Sequence, residues 1–298
     1  MTEKWMRKLA KPMLFAAAFI WGSSFFIMKN TLDALPVQYL LALRFTAGAV
    51  LLGLVCGKRW RNFTADCVWR GAVLGLLLYL AYAIQTYGLA LTTSSKNAFL
   101  TTTYCVMVPF FHWLLDRSRP DRYNLAAAVL CVAGVGLVSL SGDLAVNAGD
   151  GLTLVSAVFF AAHIIAVSRF SQGRDVMLLT VFQFAVSGLC AWVGGALTET
   201  FPAAALADPT VSLTLLYLAV MPTTVALLFQ NLGQAYSDPV SASVILSLES
   251  VFGVLCSVLF IHDQVTVRMG LGFALIFAAV LCSETKLSFL RRRRAGKR

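Results

Sequence analysis

The chain has 298 residues, of which 59% are apolar and 13% charged, with a formal net charge of +10. Soluble domains average about 45–50% apolar and about 25% charged, and 24 basic plus 14 acidic side chains are too few to clothe a water-facing body of this size. A soluble enzyme, a secreted disulfide scaffold and a disordered chain are excluded; a polytopic membrane protein remains.

A helix crossing the hydrocarbon needs roughly 20 apolar residues. That ruler predicts ten spans, at 13–28, 36–56, 71–90, 97–115, 123–141, 152–168, 176–196, 211–231, 239–261 and 267–282. Lys4, Arg7, Lys8 and Lys11 ahead of the first could mark a secretory leader. Trp21-Gly22-Ser23-Ser24 runs on into further apolar sequence, however, so the first span reads as an uncleaved helix. The runs are too long and continuous for the alternating strands of a barrel. The expected fold class is therefore all-α integral membrane with ten transmembrane helices. Seven cysteines, an odd set without a CxxC pair, fall mostly inside apolar runs and read as small hydrophobes. No metal and no cofactor is expected.

Basic residues accumulate on the cytoplasmic side. With the N-terminus inside, 20 of the 24 fall there, in the N-terminal segment, the even-to-odd connections and the tail. The opposite face carries mainly Asp33, Asp143, Asp150, Glu199, Asp208 and Asp263. Both termini are expected to be cytoplasmic. The run Arg291 to Arg294 is then a topology anchor against anionic membrane lipids rather than a nucleic-acid patch.

The two halves show a faint repeat. Residues 14–29 align with 154–169, Arg44-Phe45 with Gln183-Phe184, and Gln85-Thr86-Tyr87-Gly88 with Gln230-Asn231-Leu232-Gly233, a register that carries Tyr104 onto Glu249. The division is placed at 1–143 and 144–298. Five spans is an odd number, so the second copy enters the membrane from the opposite side. Inverted repeats characteristically hold a substrate site at mid-membrane between the halves.

Phe19-Ile20-Trp21-Gly22-Ser23-Ser24-Phe25 with Lys29 behind it, Leu43-Arg44-Phe45, and the stretches 85–109 and 230–260 resemble EamA-type members of the drug/metabolite transporter superfamily. The resemblance implies ten helices in two inverted five-helix repeats and the movement, often export, of small metabolites. Two positions depart from it. Glu249-Ser250 stands where the family has an acidic residue followed by proline, and His262-Asp263 where a glycine-glutamate pair is common.

Ionisable groups at mid-membrane are costly and usually face a cavity or a partner. By depth, the candidate substrate-binding set is Trp21, Ser24, Tyr79, Tyr82, Tyr104, His163 and Glu249, with Glu249, His163, Arg44, Gln85 and Gln230 as coupling or gating candidates. Glu249 could carry a proton, bind a substrate amine, or be a packing bolt fixed by Ser247, Ser250 or a neighbouring helix. His163 is either a titrating group or a hydrogen-bonded interior histidine. Arg44 either attracts a substrate carboxylate, pairs with Glu249 in one state, or braces helix ends through backbone carbonyls. Gln85 and Gln230 are either a cavity rim or interhelical hydrogen bonds. Glycines 71 with 75, 134 with 136 and 270 with 272 are assigned to helix packing, and Pro109 and Pro222 either break or kink their helices.

No phosphate loop, HExxH or serine–histidine–acid set offers a foothold for an enzyme. The expected function is a plasma-membrane transporter. It would move a small amphipathic metabolite such as an amino acid or amine, outward, by alternating access, with protons as an optional coupling ion. A channel-like or facilitative pore is the alternative, with a membrane-embedded enzyme behind it.

Overall fold

The computed structural model describes residues 3–116, 121–139, 147–237, 239–262 and 264–285. These are helical with short connections, and no strand occurs among them. In chain order the helices are α1 (Glu3–Thr31), α2 (Val37–Cys56), α3 (Ala65–Leu91), α4 (Ser94–Thr101), α5 (Tyr104–Asp116), α6 (Arg122–Ser139), α7 (Ala148–Phe170), α8 (Val176–Thr198), the single turn α9 (Ala203–Leu206), α10 (Pro209–Leu218), α11 (Ala226–Ala235), α12 (Pro239–Ile261) and α13 (Val267–Thr285). A 3₁₀ segment, Gly57–Asn62, follows α2, and a π-helical segment, Ala219–Val225, joins α10 to α11. Among the described residues, seven helical stretches are long and apolar enough to cross a membrane and three more are apolar but shorter. The division at 143/144 lies outside the described residues, as do Asp143, Asp263 and the run 291–294.

Two predicted spans are broken. The fourth parts into α4 and α5 at Thr102–Thr103, not at Pro109, which sits inside α5. There the Thr102 and Thr103 hydroxyls donate to the carbonyls of Phe99 and Leu100 at 2.8 and 2.7 Å, and the Thr103 N–H also reaches the Leu100 carbonyl at 3.2 Å. The eighth span changes pitch at Pro222. Proline brings no N–H to the ladder, and the carbonyls of Leu218 and Ala219 accept from the Thr223 and Thr224 hydroxyls instead, both at 2.8 Å.

The dominant packing pairs are α1 with α12, α2 with α8, α3 with α7 and α8, and α6 with α13. Glycines set several of these crossings. A Cβ on Gly71 would lie 2.4 Å from Phe182 Cβ, and one on Gly75 2.6 Å from the Gln183 carbonyl oxygen. Gly134 and Gly272 each bring the other's carbonyl to 2.8 Å of such an atom. Gly270 differs from its expected packing role: nothing lies within 4 Å of it, because that face of α13 is open.

Polar locks hold the helix ends. Lys29 Nζ donates to the carbonyls of Leu89 and Ala90 at 2.8 and 2.9 Å, closing the end of α3. Glu199, just past α8, accepts from the backbone N–H groups of Gln38 and Tyr39 and so caps α2. At the other end of that pair Asp175 caps α8 and accepts from Arg59 at 3.0 Å. Asp150, fully buried at the start of α7, is neutralised by Lys96 at 3.1 Å and bonded by the Thr92 hydroxyl.

His262, which ends α12, has φ of 54°, a left-handed conformation that costs an L-residue about 1–2 kcal/mol and glycine almost nothing. This is the position where the family resemblance leads one to expect glycine. His262→Gly should stabilise the protein by about 1 kcal/mol, read as a raised melting temperature in detergent with unchanged transport. A lowered melting temperature would show that the imidazole holds more than it strains.

Candidate functional site

The interior contains a small cavity of about 40 Å³, room for about three waters. Its walls come from both halves of the chain: α1, α2, α3, α4 and α5 on one side, and α7, α11 and α12 on the other.

One wall is aromatic. Phe160 of α7 lies between Tyr82 and Tyr104, with ring centroids 5.4 and 6.3 Å away, and Phe45 backs Tyr82 edge-on at 5.6 Å. Trp21 adds a further ring, fixed because its indole N–H donates to the Pro222 carbonyl at 2.8 Å. The π-helical segment frees that carbonyl, so the irregular backbone orients an aromatic side chain of the first helix.

Arg44 is 1% exposed and faces the cavity from α2. Its Nε donates to Thr223 Oγ1 at 2.9 Å and an Nη to Met28 Sδ at 3.0 Å, while the guanidinium carbon lies 5.8 Å from the Tyr82 ring centroid. None of these partners is a backbone carbonyl, so the helix-bracing role is not what Arg44 performs here. None is a carboxylate either. A guanidinium stays protonated in proteins, so a full positive charge is held by a hydroxyl, a thioether and a ring face.

Glu249 is 5% exposed, about half way along α12, and faces the same cavity. The Tyr104 hydroxyl interacts with its carboxyl group. The Ser250 hydroxyl turns back to the Ser247 carbonyl at 2.8 Å. No ion pair joins Glu249 to Arg44. A guanidinium and a carboxyl group therefore look into one aromatic chamber without pairing with each other.

Gln85 and Gln230 also line it. Gln85 Nε2 donates to Thr101 Oγ1 at 2.9 Å, so this residue is rim and interhelical bond at once; the Gln230 side chain faces the cavity from α11. Ser24 lines the cavity too, although its hydroxyl is used on the Trp21 carbonyl.

Two residues from the depth-based set lie elsewhere. Tyr79 donates its hydroxyl to Gln38 Oε1 at 3.2 Å and joins the Tyr87–Glu199 lock at the start of α2. His163, fully buried, sits behind the wall formed by its neighbour Ile164. Their helices reach the cavity, but these two side chains lie on other faces. Conversely, sequence reading passed over Met28, Thr86, Thr101, Phe160 and Thr223. The only available hint was Thr223-Thr224 directly after Pro222, hydroxyls placed where a proline leaves carbonyls unpaired.

A model of the EamA-like transporter family matches residues 9–140 and again residues 147–285. An uncharacterized transporter of Archaeoglobus fulgidus is 34% identical over 266 residues, covering 89% of this chain and 82% of that one. YvbV, an uncharacterized transporter of Bacillus subtilis, is 23% identical over 292 residues and 94% of each chain. A shorter match, 32% identical over 117 residues, covers 35% of this chain and 36% of an S-adenosylmethionine/S-adenosylhomocysteine transporter of Chlamydia muridarum. One solved crystal structure, at 18% identity, superposes with a TM-score of 0.72 over 95% of this chain and 99% of that one, a likeness of fold.

Proposed function

The chain belongs to the EamA-like transporter family, a multi-pass membrane transporter, and from that premise we propose that it carries a small zwitterionic metabolite of the amino-acid class across the plasma membrane by alternating access. The carboxylate of the solute pairs with Arg44 and its amine with Glu249, while Trp21, Tyr82 and Tyr104 cover its apolar part. Outward movement is carried over from the family resemblance. Glu249 serves as the amine's counter-ion; proton carriage at the same carboxylate is the second reading, favoured by its contact with a single hydroxyl and no cation.

The observation that carries this is that the Arg44 guanidinium and the Glu249 carboxyl group face one cavity without pairing with each other. Burying single charges is expensive unless something pairs them, and a zwitterion supplies both counter-charges at once. Alternating access between two inverted five-span halves is supported by the packing itself. Exchanging the first five spans for the second five leaves the helix pairs in place. The second span packs on the seventh (α2 on α8) and the fifth on the tenth (α6 on α13). The pair of first and ninth (α1, α12) is matched by sixth with fourth (α7 with α4 and α5), and third with sixth (α3, α7) by eighth with first (α11, α1). The charge distribution along the sequence supports both termini lying in the cytoplasm.

The test is a thermal-shift panel on the purified full-length protein, since anything bound to the folded state raises its melting temperature. Methionine, S-adenosylmethionine (which carries an α-amino-acid group), methionine's amine-free and carboxyl-free analogues and unrelated neutral solutes would be compared. Zwitterions should stabilise most, and the two truncated analogues should each lose most of the shift. Equal shifts from one-charge analogues, or none from any zwitterion, would refute the two-pole site.

A further inference from the structure

Behind the cavity wall, α7, α8 and α11 enclose a second polar group that the two-pole site does not use. His163, Gln183, Asn231 and Gln234 are all at most 2% exposed. Asn231 Nδ2 donates to Thr180 Oγ1 at 2.9 Å and to Gln183 Oε1 at 3.0 Å, and the Gln183 side chain faces His163. Six side-chain atoms in this seam have no hydrogen-bond partner among the described protein groups: both His163 ring nitrogens, Gln183 Nε2, Asn231 Oδ1 and both amide atoms of Gln234. Buried polar atoms are almost always satisfied, and an unmet one is costly. So much unused capacity in one place matches the polar sites in which proteins hold internal water.

The seam also has a direction. On α11, Gln230 lines the cavity and Gln234 lies one turn further on, next to the helix end at Ala235. Asn231 stands between them. His163 is two turns from the end of α7, where Ser171 adds another buried hydroxyl without a partner. Thr180 and Gln183 fall in the first two turns of α8. The amides therefore lead from the cavity toward the membrane face where α7 and α11 end and α8 begins.

We infer that this seam is a water-holding site forming one half of the solute's path, between the two-pole cavity and that face. The inference rests on the transport reading above. Its chemistry suits a passage rather than a resting site. Apart from His163 it contains only neutral amides and hydroxyls, which can replace the hydration of a zwitterion's ends while offering neither end a full counter-charge. Arg44 and Glu249 supply those charges only in the cavity. Solute thus binds firmly at the centre and weakly along the way, the condition for passing through rather than stopping.

Hydroxyl-radical footprinting of the full-length protein in lipid nanodiscs reads this directly, because only side chains beside water are modified. His163 should be modified about tenfold faster than Phe184, a fully buried ring in the apolar core next to Gln183. A second measurement uses Gln234→Cys and a membrane-impermeant trimethylammonium thiosulfonate, with the adduct located by mass spectrometry so that the native cysteines can stay. The introduced thiol should react from one side of the membrane only. His163 as protected as Phe184 would overturn the water site. A modified His163 with a thiol at 234 that reacts from neither side would overturn the path. Neither readout requires a substrate, so their failure is distinct from failure of the thermal-shift panel.

Discussion

Glu249→Gln should abolish recognition of the solute's amine while leaving the protein folded and at least as heat-stable as the parent. The carboxyl group lies in the cavity wall with the Tyr104 hydroxyl as its contact and no cation beside it. In the empty protein an ionised carboxylate there is an uncompensated cost, and a neutral amide of the same shape carries none. In the loaded protein the same charge meets an ammonium in a site largely closed to water. Truncating one partner of such a pair costs about 2–5 kcal/mol or more, which is an affinity loss of about thirtyfold to a few thousandfold. Titration calorimetry with methionine and with its amine-free analogue separates the possibilities. The variant should lose affinity for the first and keep what it had for the second. Undiminished methionine affinity together with loss of gradient-driven accumulation in proteoliposomes would assign Glu249 to proton carriage instead. A lowered melting temperature with no change in selectivity would return it to a packing role.

The second large effect is expected one helix away, at Gly22. A Cβ there would lie 2.4 Å from Phe252 Cβ, 2.7 Å from the Glu249 carbonyl oxygen and 2.9 Å from the Gly253 nitrogen. Two of these three atoms belong to the backbone of α12, so no rotamer change can make room. Gly22→Ala must push α1 from α12 at the level of Glu249, the position that joins Trp21 and Ser24 to the carboxylate in one wall. Overpacking of this kind costs about 1–3 kcal/mol, and the displaced wall should stop transport even in the fraction that folds. Gly270→Ala is the control. It adds the same methyl in open space and replaces a helical glycine, so it should stabilise by about 0.5–1 kcal/mol. Melting curves of both variants in detergent, with uptake assays, check the pair. A Gly22→Ala protein with parental stability and uptake would mean that this contact is not maintained in the membrane.

Much of the architecture could be read from residue order, and the reason is physical. A bilayer imposes one length on every crossing helix, and breakers such as Asp33 to Pro36 or Glu199 to Pro209 mark the ends, so 176–196 was expected where α8 occupies Val176–Thr198. Counting along each run for polar and aromatic residues near its middle picked out Trp21, Arg44, Tyr82, Tyr104 and Glu249, all of which line the cavity. Rotation about the helix axis did not follow. These spans are apolar on every side, so no polar stripe marks the inward face, and Tyr79 and His163 were placed in the cavity by depth alone. The partners of Arg44 were invisible for a different reason. Thr223 reaches it only because the backbone loosens to π pitch around Pro222, and a proline by itself does not say whether a helix will kink, break or widen. The fourth-span break at Thr102–Thr103 lies seven residues before the proline that seemed to announce it.

Solute counterflow in proteoliposomes tests most directly whether a single cavity is presented alternately to the two sides. Vesicles preloaded with unlabelled methionine, or with whichever zwitterion stabilises the protein most, receive a trace of the same labelled compound outside. A carrier predicts a transient overshoot of label that saturates with concentration and disappears in the double variant Arg44→Met, Glu249→Gln. Uptake that rises linearly with concentration, shows no overshoot and accompanies unitary currents in a planar bilayer would contradict it and identify a pore.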